Sequence, residues 1–80
     1  MKINQIGPNQ TILTLNNGTQ IGFSYNTPVV ARIGSGGQAY RTEQKFSVTT
    51  SRHVGQLLGH MGWNSKDAEL RPQSFFEGLS

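Results

Sequence analysis

The residues best equipped for chemistry in this 80-residue chain stand in one run, Thr49-Thr50-Ser51-Arg52-His53. Three hydroxyls are followed by a guanidinium and an imidazole. The i, i+3, i+4, i+7 recurrence of Val54, Leu57, Leu58 and Met61 predicts an amphipathic helix starting at about Ser51. Arg52 and His53 then fall in its first turn, where the helix dipole favours acidic groups. Basic groups there cost about 0.3–1 kcal/mol, which a bound anion would offset. Thr49, Thr50, Ser51, Arg52 and His53 together could make a phosphate-sized pocket of amides, hydroxyls and cations. The same hydroxyls also suffice as helix caps, with Arg52 and His53 solvated or bonded to a neighbouring sheet.

Other chemistries find less support. No serine sits in a G-x-S-x-G elbow, and nothing sets a base beside a nucleophile. His53 and His60 are seven residues apart, roughly 10.5 Å along a helix at 1.5 Å per residue, too far to share one metal ion. Glu43, Asp67, Glu69 and Glu77 show no pairing of the glycosidase kind. With no cysteine, thiolate metal sites and thiol catalysis are excluded. The expectation is a non-enzyme with neither metal nor cofactor.

This run needs a strand before it and a helix after it to hold it in place. Tyr40, Thr42, Gln44, Phe46 and Val48 alternate with Arg41, Glu43, Lys45 and Ser47, which predicts one long half-buried strand leading directly into the helix. Its outward side carries Arg41 and Lys45, with Arg32 on the preceding strand as a further candidate phosphate contact; Glu43 between them makes the face mixed. Upstream, Lys2 to Ile6, Thr11 to Leu15, Gln20 to Tyr25 and Val29 to Ile33 read as strands. They are separated by Gly7-Pro8-Asn9, by an Asn16-Asn17-Gly18-Thr19 hairpin turn, and by a bend or bulge at Asn26-Thr27-Pro28. Gly34-Ser35-Gly36-Gly37 leads into a strand, which suits a hairpin tip better than a phosphate loop.

Gly62 suits a helix C-terminus with Trp63 tucked back. Residues 64 to 70 read as a turn and short helix, and Pro72 as the first position of a final helix over 73 to 78. Phe75 and Phe76 point about 100° apart on a helix, so Phe75, Phe76 and Trp63 are candidate partner-binding groups. Gly55 and Gly59 inside the helix ask for a close backbone approach by the sheet, a second copy or a ligand. His53, Gln56 and His60 form a polar stripe expected in solvent. The fold expected is a single α+β domain over 1–80. An antiparallel meander of four to five strands (about 2–48) is packed by one main helix (about 51–61), and a C-terminal segment (62–80) holds a short helix.

Seven Lys and Arg against four Asp and Glu give a mildly basic chain, compatible with nucleic acid. The first ten residues lack an apolar h-region and the longest apolar run is Val29-Val30-Ala31, so a soluble protein without a membrane partner is expected.

The segment from Ser24 to Leu58 resembles an uncharacterised domain family of bacteriophages and mobile elements. Its pattern is Tyr-x-Thr-Pro-Val, then Tyr-x-Thr, then Ser-x-Thr-Thr-Ser-x-His before a helix. Here the pattern falls on Tyr25, Thr27, Pro28, Tyr40, Thr42, Ser47, Thr49, Thr50, Ser51 and His53. The resemblance implies a phage or plasmid origin, a host-cytoplasmic setting and a compact sheet-plus-helix fold, with no activity to carry over. The functional expectation is a small non-catalytic module contacting nucleic-acid phosphates at the strand-helix junction. The alternatives are a protein-binding inhibitor of a host factor or defence complex, and a structural or self-assembling subunit.

Overall fold

The computed structural model describes residues 1–34 and 37–79. Ser35 and Gly36, at the centre of the glycine-rich cluster, lie outside the described residues. In chain order the elements are β1 (Lys2–Gly7), β2 (Gln10–Thr14), β3 (Gln20–Ser24), β4 (Thr27–Arg32), β5 (Ala39–Thr42), α1 (Val48–His60), β6 (Glu69–Arg71) and α2 (Gln73–Glu77). The architecture is α+β, as expected, but the sheet has six strands in the order β1-β2-β3-β4-β5-β6 and is mixed. Strands β1 to β5 form the antiparallel meander, whereas β6 pairs parallel to β5. Parallel neighbours need a long crossover, and α1 supplies it.

Local chemistry sets the turns. At the β2–β3 hairpin only Gly18 takes positive φ (88°), and the Gly18 and Thr19 amides donate to Leu15 O and Asn17 Oδ1. Asn17 therefore contributes its side chain rather than a left-handed backbone. Between β3 and β4 the register shifts so that Gly22 faces Val30 and Phe23 faces Pro28. Val29 is the extra residue, a bulge beside the proline that cannot donate to the ladder.

Strand alternation divides the sheet's two faces. Ile12, Gly22, Val30 and Ala39 lie on the α1 side, where α1 contributes Leu57, Leu58 and Met61 to a buried cluster. On the other side Tyr40 makes a tilted ring contact with Phe75 of α2 at a ring separation of 5.3 Å, and fully buried Phe76 meets Phe75 edge-on. Both phenylalanines thus serve the fold, one enclosed and one half-buried against Tyr40.

Three local expectations are corrected. Strand β5 stops at Thr42, because the Gln44 amide donates to Thr42 Oγ1 at 3.2 Å and turns the chain away after the last ladder bond, Glu43 N–H to Arg71 O. Phe46 and Val48 are consequently exposed instead of lining a strand face. The helix begins at Val48, with Ser47 as cap: Ser47 is extended and its Oγ accepts the Thr50 amide at 3.1 Å. Glu69 and Leu70, read above as the end of a short helix, instead open β6, which runs to Arg71.

The helix end follows the expected pattern. Gly62 has φ of 82°, the Trp63 amide donates to Leu58 O at 2.9 Å and the Gly62 amide to Gly59 O at 3.1 Å. These are the paired bonds of a Schellman motif, with Trp63 packed on the core beside Leu58.

The close approach expected at the helix glycines occurs elsewhere. Gly55 and Gly59 are exposed, and a Cβ on either would meet nothing within 4 Å. At Gly22 an added Cβ would lie 2.4 Å from Val30 Cγ2 and 3.2 Å from Leu57 Cδ1. Gly22→Ala is therefore expected to destabilise the protein by about 1–3 kcal/mol through overpacking. Gly55→Ala and Gly59→Ala should each stabilise it by about 0.5–1 kcal/mol. Urea-unfolding midpoints of the three variants test this ordering, and a stable Gly22→Ala protein would contradict it.

Candidate functional site

The crossover that makes β6 a parallel strand also opens a cleft. The turn after β5 (residues 43 to 47) climbs from the sheet to the start of α1, and residues 64 to 67 climb from the end of α1 towards β6. The Lys66 amide donates to Asn64 Oδ1 and the Asp67 amide to Asn64 O, which holds this second turn. Between the two turns lies a cleft of about 390 Å³, within the roughly 300–1,000 Å³ usual for ligand sites.

Three cations line it: Arg41, Lys45 and Lys66, against the single carboxylate of Glu43. Arg41 is half-buried, and its Nε donates to Ser65 O at 2.9 Å, which fixes the guanidinium plane and leaves the amino nitrogens for a ligand. Among the described residues the one ion pair is Arg71 with Glu69, so Lys45, Lys66 and Glu43 have no ion-pair partner there. Thr50 and Ser51 bring hydroxyls from α1, and Phe46, Val54 and Leu70 bring apolar surface.

The structure gathers four of the residues singled out in the sequence, Arg41, Lys45, Thr50 and Ser51, and separates the others. Thr49 and Arg52 are exposed but do not line the cleft. His53, expected at an exposed mouth, is only 6% exposed. It shares a 2.8 Å hydrogen bond with Ser24 Oγ through Nδ1, and the Tyr25 ring lies 5.7 Å away. The stripe expected in solvent is thereby split: His53 faces β3, while Gln56 and His60 are exposed. Gln56 Oε1 accepts a 2.6 Å bond from Gln10 Nε2. Arg32 is displaced to the other end of α1, where Nη1 donates to Met61 O at 3.5 Å and Nε to Gly37 O at 3.3 Å. A cation at that helix terminus complements the dipole.

Hydroxyls connect the cleft to His53. Ser47 Oγ and Ser24 Oγ lie 3.3 and 3.4 Å from Thr50 Oγ1, and Ser24 meets the imidazole. The hydroxyl run predicted to gather an anion thus also fastens the start of α1 to β3.

Lys66, Ser65, Phe46 and Leu70 were missed. Lys66 lies 21 positions beyond Lys45 in the chain, and only the crossover returns it to the same cleft. Phe46 read as a buried strand residue, and no periodic signal marks it otherwise. Among the described residues no group of three or more His, Cys, Asp or Glu could hold a metal ion, and no helix is long and apolar enough to cross a membrane.

A family model described as "Family of unknown function (DUF8033)" matches residues 1–78. No curated protein and no solved structure matches the chain.

His53→Phe keeps the ring's bulk but removes the shorter contact of the buried Ser24 hydroxyl, leaving it only the 3.4 Å approach to Thr50 Oγ1, and is expected to cost about 1–3 kcal/mol. In a double-mutant cycle with Ser24→Ala the two losses should be non-additive. Additive losses in chemical denaturation would mean that the 2.8 Å contact contributes nothing specific.

Proposed function

This chain belongs to that family of unknown function, and from this premise we propose that it is a small non-catalytic module that binds nucleic acid through the cleft between β5, β6 and α1. The observation that carries the reading is the convergence of Arg41, Lys45 and Lys66 on one concave surface against the single carboxylate of Glu43. Phosphates are the natural complement of such a set. Arg41, held by Ser65 O, offers a fixed pair of amino groups, while the two lysines act as mobile point charges. Hydroxyls of Thr50 and Ser51 add neutral donors of the kind that contact phosphate oxygens. Arg52 on the outer face of α1 extends the positive surface beyond the cleft. The setting proposed is the cytoplasm of a cell carrying a bacteriophage or mobile element, supported by the resemblance over residues 24–58.

The chemistry of the alternative, a protein-binding surface on Trp63, Phe75 and Phe76, is weaker. Phe76 is enclosed, Phe75 packs against the Tyr40 ring, and Trp63 packs on the core.

Two titrations test the reading. Affinity for mixed-sequence DNA and RNA should fall linearly with the logarithm of salt concentration, and Lys45→Ala and Lys66→Ala should each flatten the slope by about one. Glu43→Gln should tighten binding by removing repulsion. Salt-independent binding, or slopes unchanged in both lysine variants, would reject the proposed interface.

A further inference from the structure

The cationic cleft has a feature that phosphate binding alone leaves unused. Phe46 is 43% exposed and Leu70 is 46% exposed, and both line the cleft with half-buried Val54. A large aromatic next to Lys45 thus keeps about two-fifths of its surface in water, and the fold covers only the rest. Its placement follows from two polar contacts that leave it there: the Thr42 Oγ1 bond that ends β5 and the Ser47 cap that starts α1. Phe46 is thereby held on a short bridge between two fixed points, lining the same cleft as Arg41 and Lys45.

Resting on the nucleic-acid reading above, we infer that the cleft takes an unpaired strand, with one base lying on Phe46 while the flanking phosphates meet Arg41, Lys45 and Lys66. Shape and charge together distinguish an unpaired strand from a duplex. A duplex presents phosphates and base edges, but its base planes are covered by their neighbours, so a recessed aromatic finds no face to stack on. An unpaired nucleotide presents an apolar plane and an anionic backbone within a few ångströms of each other. A cleft with an aliphatic and aromatic wall beside three cations matches both parts. Every base has such a plane, so the recognition is tolerant of sequence. Glu43 lies in the same lining and can accept a hydrogen bond from an exocyclic amine, though it repels the backbone.

The experiment compares three probes by fluorescence anisotropy at one salt concentration. They are a labelled single strand of about 12 nucleotides, within the roughly 4–16 that small binding folds cover, its duplex, and inorganic polyphosphate as competitor. The wild-type chain should prefer the single strand. Phe46→Ala should weaken single-strand binding by about 5- to 100-fold, in line with loss of one stacked base, and Phe46→Trp should restore it. The inhibition constant of polyphosphate, corrected for each protein's affinity for the labelled strand, should be the same for all three proteins. Because Phe46 is already open to water, the variants are expected to fold, which circular dichroism checks. Equal affinity for strand and duplex, or a Phe46→Ala protein that binds the single strand normally, overturns this inference. If Lys45→Ala and Lys66→Ala still weaken binding in that case, the nucleic-acid reading stands and only the unpaired strand is lost. Failure to bind any of the three polyanions overturns both.

Discussion

Helix α1 reaches the sheet because residue 22 carries no side chain at the point of contact. Val30 from β4 occupies the space that a Cβ would take and the Leu57 side chain of α1 closes over it, so Leu57 packs directly onto β3 within the apolar cluster. The cleft side of the molecule is set relative to that seat. Its two ends are then fastened by polar chemistry: Ser24 and Thr50 near the start, Arg32 and the Gly62 turn at the finish. A helix held at its middle by packing and at both ends by hydrogen bonds gives the turns on either side fixed anchors.

Those turns make the cleft. Had the chain returned antiparallel after β5, a short hairpin would have covered the sheet edge. The parallel pairing of β6 instead forces a crossover. The two connections of that crossover, residues 43–47 and 64–67, leave and rejoin the β5–β6 edge at opposite ends of the strands, and both contribute to the lining of the cleft. Lys45 and Lys66, one on each, are brought together by this topology, while Arg41 and Leu70, paired across β5 and β6, form the floor. The cleft is thus a by-product of topology, lined by side chains that the core does not need.

Its electrostatics are simple. Of the charged groups in the lining, only Arg41 is fixed by a hydrogen bond to the protein; the others are free to meet a ligand or water. Fixed and mobile cations do different things for a polyanion: the first sets orientation, the second adjusts to it. The Arg71–Glu69 pair and the placement of Arg71 over the Tyr40 ring at 4.9 Å occupy the opposite face of the same edge, keeping that guanidinium away from the cleft.

Local sequence by itself determined the α+β class, the hairpin at Asn17-Gly18, the interruption at Pro28, the apolar stripe from Val54 to Met61 and the glycine that ends α1. Each is written in neighbouring residues through alternation, helical period or backbone freedom, so no distant partner is needed to read it. It also marked Arg41, Lys45, Thr50 and Ser51, because basic and hydroxyl groups crowd one junction. Tertiary structure alone decided the rest. Strand β6 is three residues long and exists because β5 offers it a ladder; His53 is buried because Ser24 waits on β3 to meet its imidazole; Arg32 serves the far end of the helix. Phe46 and Lys66 enter the cleft for the same reason. Where a side chain goes once its element ends depends on contacts made across the chain, and those contacts carry no local period to be read.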